Sequence, residues 1–216
     1  MKNKSDTNLL RHYCNLHSGS FLDVGRVHDE HFKDLSESVF RKYVSRLSKE
    51  GMIQPVSKGL FYIGRELPED LDDRICAFFK GYKIHFGESL LYELGIIETK
   101  PEYECLRCFY GNKNRHVRKY YFWPLSIFNF EGKKYLLELL DLIDQFDKIP
   151  EESMGIYLEA VGERINQYDD SHLAKMTIEY KKNVYLKLEN MLNQLHISNR
   201  VMQWYENQIK IPNKKG

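Results

Sequence analysis

Apolar side chains open the chain at helical spacing. Leu9, Leu10, Tyr13 and Leu16 fall at i, i+1, i+4 and i+7, and Gly19 ends the run. After the turn Asp23-Val24-Gly25, a second short helix is expected around Val27 to Lys33. Asp34-Leu35-Ser36 forms a further turn, and Ser36 or Ser38 caps a third helix that runs to Glu50 and stops at Gly51. Beyond Gly51 the period changes. Met52-Ile53-Gln54-Pro55-Val56 and Leu60-Phe61-Tyr62-Ile63 predict two short strands around Ser57-Lys58-Gly59, with Gly59 free to take positive φ. Pro55 has no N–H for a ladder, so the first strand belongs at an edge.

Helix, helix, turn, helix, hairpin is the order of a winged helix-turn-helix. Arg65-Glu66-Leu67-Pro68-Glu69-Asp70 is polar and sets the expected boundary between a domain over 1–66 and a second over 67–216. In the second region a helix from Gly87 to Leu94 closes at Gly95. Strand-like runs follow at Tyr103 to Tyr110 and Val117 to Trp123, separated by the turn Gly111-Asn112-Lys113-Asn114. From Gly132 onward the pattern is helical. Tyr135 to Phe146 is apolar nearly all round, as a buried helix would be. Met154, Leu158, Val161 and Ile165 make one stripe, and Val184, Leu188, Met191, Leu192 and Leu195 another. Val201, Trp204 and Tyr205 mark a last helix before the polar tail Pro212 to Gly216. The expected class is α+β: an N-terminal winged helix-turn-helix followed by a mixed, mainly helical C-terminal domain.

On a wheel of 100° per residue with Phe40 at zero, Val44, Leu47 and Tyr43 lie within about 60° of it and form the core face of the third helix. Ser38, Lys42, Ser45 and Lys49 cluster at the opposite pole, flanked by Arg41 and Arg46. Four cations and two hydroxyls on one face suit DNA: Lys and Arg neutralise phosphates, Arg can fork onto a guanine edge, and Ser serves either phosphate or base. An ordinary solvated helix face usually mixes both signs. Lys58 stands at the hairpin tip, where a cation reaches backbone or minor groove.

Charge in bulk adds little. The 216 residues carry 32 Lys+Arg against 31 Asp+Glu; residues 1–66 hold 11 against 8 and the remainder 21 against 23. The case rests on where the cations sit. The N-terminus has no apolar core of a signal peptide and no stretch approaches a membrane span, so a cytoplasmic, membrane-free protein is expected. Four scattered cysteines make no disulfide framework.

Val44-Ser45-Arg46-Leu47-Ser48-Lys49-Glu50-Gly51-Met52-Ile53, with Ser57-Lys58-Gly59-Leu60-Phe61-Tyr62-Ile63, resembles the L-x-R-L-x-K-x-G-x-I … G-x-Y-Y run of the AbiEi-like type IV antitoxins. The sequence departs from it at Val44 and at Phe61, where the family has Leu and Tyr. A looser likeness covers Gly87 to Leu91 ahead of Leu94-Gly95, and Tyr135 to Asp141 followed by Lys148-Ile149-Pro150. The resemblance implies a repressor that binds operator repeats of its own promoter and counteracts a nucleotidyltransferase toxin, either directly or only functionally.

Lys113, Arg115, Arg118 and Lys119, interleaved with aromatics, are the densest basic stretch. They form a second phosphate-contacting surface, a dock for an acidic partner, or a solvated edge strand guarded by charge. Cys105 and Cys108 have metal-ligand spacing, but three residues apart on a strand they point to opposite faces. His28 and His31 sit at i, i+3 and are expected on a solvated helix surface. There is no P-loop, nucleophile elbow or dinucleotide fingerprint, and the carboxylate pairs of a nucleotidyltransferase are missing. No metal, cofactor or catalytic residue is expected, and the protein is not expected to be an enzyme. The competing expectation is a protein-interaction module that uses the winged-helix scaffold without touching DNA.

Overall fold

Thr7, Leu10 and Cys14, spaced by three and four, form the buried stripe of α1 (Asn3–Leu16). Leu9 and Leu16, expected on that face, are more than half exposed. The difference arises because a buried Cys packs as a small hydrophobe and turns the helix one residue from the leucine pattern. The computed structural model describes residues 3–79, 81–111, 113–125 and 132–210; the tail from Pro212 lies outside them. The chain forms two compact units, one of residues 1–80 with 115–118, the other of residues 81–114 with 119–216.

In the first unit α1 leads to β1 (Phe21–Asp23), α2 (Val24–His31), α3 (Glu37–Lys49) and the hairpin β2 (Ile53–Ser57) and β3 (Leu60–Ile63). β1 was not anticipated; it pairs antiparallel with β3, giving a three-stranded sheet in the order β1-β3-β2. The Asp23-Val24-Gly25 turn is instead a strand end and helix cap, with the Asp23 carboxylate accepting from the Arg26 N–H. Pro55 does lie on the edge strand, where the register shifts between Pro55 and Ser57. α3 ends in a Schellman turn: Gly51 N–H donates to the Ser48 carbonyl and Met52 N–H to that of Leu47, with Gly51 at φ +73°. The core is Leu10, Leu22, Val27, Phe40, Val44, Leu47, Ile53 and their neighbours.

α4 (Leu71–Phe78) also belongs to this unit. Leu71, Ile75 and Phe79, four apart, are buried, and Phe78 packs on Phe21 with ring centroids 5.1 Å apart. The polar stretch 65–70 is therefore a surface loop inside the unit, and the boundary expected after residue 66 falls near residue 80. The same unit holds β6 (Arg115–Val117), contributed from far along the chain.

In the second unit β4 (Gly81–His85), β5 (Glu104–Cys108) and β7 (Tyr120–Pro124) lie side by side in that order. β4 and β5 are antiparallel, whereas β5 and β7 run parallel, from Glu104 beside Tyr120 to Cys108 beside Pro124. α5 (Glu88–Glu93) closes at Gly95 as expected. α6 (Lys133–Asp144) is buried from Leu136 to Ile143 without a break, including Glu138 and Asp141. Around it stand α7 (Met154–Ile165), the short α8 (Asp170–Leu173), α9 (Lys182–Gln194) and α10 (Val201–Lys210). The stripe expected on α7 is displaced: Leu158 is exposed, and Tyr157, Ala160, Val161 and Arg164 are buried with Ile165. Arg164 explains the shift, because its guanidinium meets Glu138 of α6 at 2.8 and 2.9 Å inside the core. The architecture is α+β with small sheets.

Candidate nucleic-acid interface

α3 positions the candidate site by burying its other face. Phe40, Tyr43, Val44 and Leu47 are at most 5% exposed. At roughly 1.5–3 kcal/mol for each such apolar side chain, that burial fixes the helix rotation far more firmly than any surface charge could. Ser38, Arg41, Lys42, Ser45, Arg46 and Lys49 are then all exposed, as the wheel requires.

The electrostatics of that face are uneven. Arg41 is bound one turn back by Glu37, Nη2 to Oε1 at 2.6 Å, in an exposed pair. Ser38 Oγ lies 3.3 Å from Ser36 Oγ. Lys42, Arg46 and Lys49 make no ion pair with any described residue. Arg46 and Lys49 occupy the last turn, where the helix dipole favours cations; Lys42 and Arg41 lie mid-helix, outside the reach of that effect. Glu50, the acidic residue at the helix end, is drawn away to Arg11 of α1 at 2.6 Å.

A cleft of about 370 Å³ lies between α3 and the hairpin. Arg41, Ser45 and Lys49 line one wall, Gly59 and Phe61 the other. Phe61 is half-buried and packs against the core from this side, whereas Tyr62 points away and is buried against Phe21. Lys58 at the tip is exposed.

The turn that carries Lys58 is braced from β6. Arg115 binds the Asp23 carboxylate through Nη1 and donates through Nη2 to the Lys58 carbonyl at 3.3 Å. Its guanidinium lies 5.7 Å from the Phe79 ring centroid. Arg118, at φ 55°, pairs with Asp72 at 3.3 Å. The basic stretch is thus not one surface. Arg115 and Arg118 are compensated by carboxylates of the first unit; Lys113 is exposed, and Lys119 is exposed with its ammonium 5.1 Å from the Tyr120 ring.

At the entry to α3, His28 holds the preceding turn. Its ring nitrogens face the Leu35 carbonyl at 2.8 Å and the Asp29 carboxylate at 3.1 Å. Two acceptors favour the imidazolium, so the His28 pKa is raised, chiefly by the Leu35 carbonyl. Both nitrogens are engaged in bracing α2 against α3. Cys105 and Cys108 donate to the carbonyls of Tyr103 and Tyr110 respectively, and burial pushes both thiols up. Among the described residues no three His, Cys, Asp or Glu side chains are grouped to hold a metal ion. No helix among them is long and apolar enough to cross a membrane.

Sequence periodicity predicts the α3 face but not the brace of the Lys58 turn. Arg115 is 92 residues from Asp23, and nothing local in Arg115-His116-Val117-Arg118 marks which cation turns inward. Set beside known proteins, the chain matches no family model and no curated protein.

Proposed function

We propose that the first unit is a winged helix-turn-helix and that α3 enters the major groove of double-stranded DNA. The single observation behind this reading is the solvent face of α3: Lys42, Arg46 and Lys49 are exposed and without a carboxylate partner among the described residues, beside Ser45 and Arg41. A merely solvated helix would pair such charges at i, i+4, as Arg41 does with Glu37. Lys42, Ser45, Arg46 and Lys49 supply phosphate and base contacts, Arg41 joins them by exchanging Glu37 for a phosphate, and Ser38 supports the helix start. Lys58, held out on the hairpin, contacts the backbone or minor groove.

In this reading the chain is a non-enzymatic transcriptional repressor and, following its resemblance to the AbiEi-like antitoxins, autoregulates an operon that also encodes a nucleotidyltransferase toxin. Fluorescence anisotropy with a duplex from the protein's own upstream region tests it. The wild type should bind the duplex, with log affinity falling linearly against log salt. The Lys42→Ala, Arg46→Ala double variant should bind more weakly and lose about 1.8 from that slope, about 0.9 for each phosphate contact removed. Unchanged affinity and slope in the double variant would refute the assignment of α3.

A further inference from the structure

β5 carries a cation that no surface role can use. Arg107, between the two cysteines, is 1% exposed. Its guanidinium carbon lies 4.5 Å from the ring centroids of both Phe86 and Trp123 and 5.4 Å from that of Tyr180. Nη2 donates to the Tyr180 hydroxyl at 2.6 Å and approaches the Asp141 carboxylate at 3.7 Å. Nε and Nη1 are buried and meet no hydrogen-bond partner among the described residues. Buried donors without acceptors are rare in folded proteins, and on a charged group they are costly.

These groups line a cavity of about 470 Å³ that lies wholly within the second unit. The aromatic walls prevent the guanidinium from swinging out to water, so its two idle donors are preorganised for a ligand. Asp141 approaches only its Nη2, at 3.7 Å, and leaves Nε and Nη1 unmatched. That carboxylate accepts from the Gly87 N–H and the Tyr180 hydroxyl, and burial pushes it up to about 6 even beside Arg107.

We propose that this cavity binds a small zwitterion of the α-amino-acid type, with its carboxylate on Arg107 and its ammonium toward the acidic lining. Glu102, Asp144 and Glu179 line the same cavity, and Glu102 and Asp144 are exposed at its outer side. Gln145 also belongs to the lining, and its buried Oε1 meets no hydrogen-bond partner among the described residues. Lys148, a cation of the lining, is 3.7 Å from Glu88. With Glu88 and Asp141 the lining holds five carboxylates against three cations, Arg107, Lys148 and Lys181. That balance disfavours a multiply charged phosphate, whereas a single carboxylate matched to Arg107 and an ammonium matched to the acidic groups suit it. Trp123, only half-buried, leaves part of its ring to meet an apolar side chain.

The inference is independent of the DNA reading: a chain that bound no DNA would keep this cavity. Trp204→Phe leaves Trp123 as the sole tryptophan and emission as the readout. The full chain is titrated with each common L-amino acid, and the tightest binder is then compared with its amide, its deaminated acid and inorganic phosphate. At least one amino acid should shift Trp123 emission saturably. Loss of either charged end should weaken binding by about tenfold or more, since each leaves buried partners unmatched. Arg107→Lys should weaken it likewise while far-UV circular dichroism is unchanged; if that variant fails to fold, the ligand series on the wild-type cavity decides. Absence of any saturable amino acid, equal binding of the amide, or tighter binding of inorganic phosphate would each overturn the proposal.

Discussion

The two units handle charge in opposite ways. On α3 of the first unit, cations stand in water around a wholly apolar buried face, with one exposed pair, Arg41 and Glu37. In the second unit, arginines go inside: Arg164 is gripped by Glu138 in the core, and Arg107 is enclosed by aromatic rings with Asp141 nearby. An exposed charge costs little to keep and little to remove, so its placement is free to serve a partner. A buried charge is costly to desolvate and is tolerated only with close partners. Arg164 has such partners. Arg107 has them on one side only, which is why it points to a ligand and Arg164 does not.

The largest expected effect breaks the buried pair. Glu138→Ala leaves the Arg164 charge uncompensated and should lower stability by about 3–5 kcal/mol in urea unfolding. Replacing both residues, by Glu138→Leu with Arg164→Met, should cost clearly less than the single change. If the single and double variants lose equally, the pair is not what holds α6 to α7.

Next comes Asp141. Its carboxyl titrates near 3.8 when unfolded and is raised to about 6 in the folded protein. The folded state therefore holds this proton more tightly, and stability falls as pH rises from about 4 to about 6. Relative to Asp141→Asn, the wild type should lose on the order of 3 kcal/mol across that window. A difference between the two proteins that does not vary with pH would show that Asp141 ionises as an exposed carboxylate does.

On α3 the same kind of edit should barely register in stability. The Lys42→Ala, Arg46→Ala double variant is expected to stay within about 0.5 kcal/mol of the wild type by thermal unfolding, although DNA binding should suffer as described above. The smallest effect belongs to Glu37→Ala. Loss of its exposed i, i+4 pair with Arg41 costs about 0.3–0.5 kcal/mol, and freeing Arg41 should not weaken DNA binding.

Legibility in the sequence tracked how local the cause was. α3 could be placed in advance because Phe40, Val44 and Leu47 repeat at helical spacing and Gly51 stops them. The hairpin could be placed because Ser57-Lys58-Gly59 interrupts two apolar runs. β1 is only three residues, Phe21 to Asp23, and exists because β3 offers an edge; too little periodicity was available to show it. β4 shows in the sequence only as Ile84 and, just past its end, Phe86, at alternate positions and both buried, too short a pattern to predict a strand. The parallel pairing of β5 with β7 is set by tertiary packing, since a short connection alone favours an antiparallel return. The cavity was hidden for a related reason. In Cys105-Leu106-Arg107-Cys108 the cysteines drew attention by their spacing, while the residue that matters was a lone arginine whose aromatic cage comes from positions 86, 123 and 180.

Arg115 has a consequence for inheritance. Because β6 completes the brace under the hairpin turn from a place beyond residue 80, the first unit is not one uninterrupted reading-frame segment. Recombination that transplanted only its first 80 codons would deliver a protein in which Asp23 has lost its guanidinium and the Lys58 turn its strut. Exchange between such genes should therefore preserve the stretch through codon 118 as a block, and the proposed DNA-binding face should descend together with the early part of the unit that follows it.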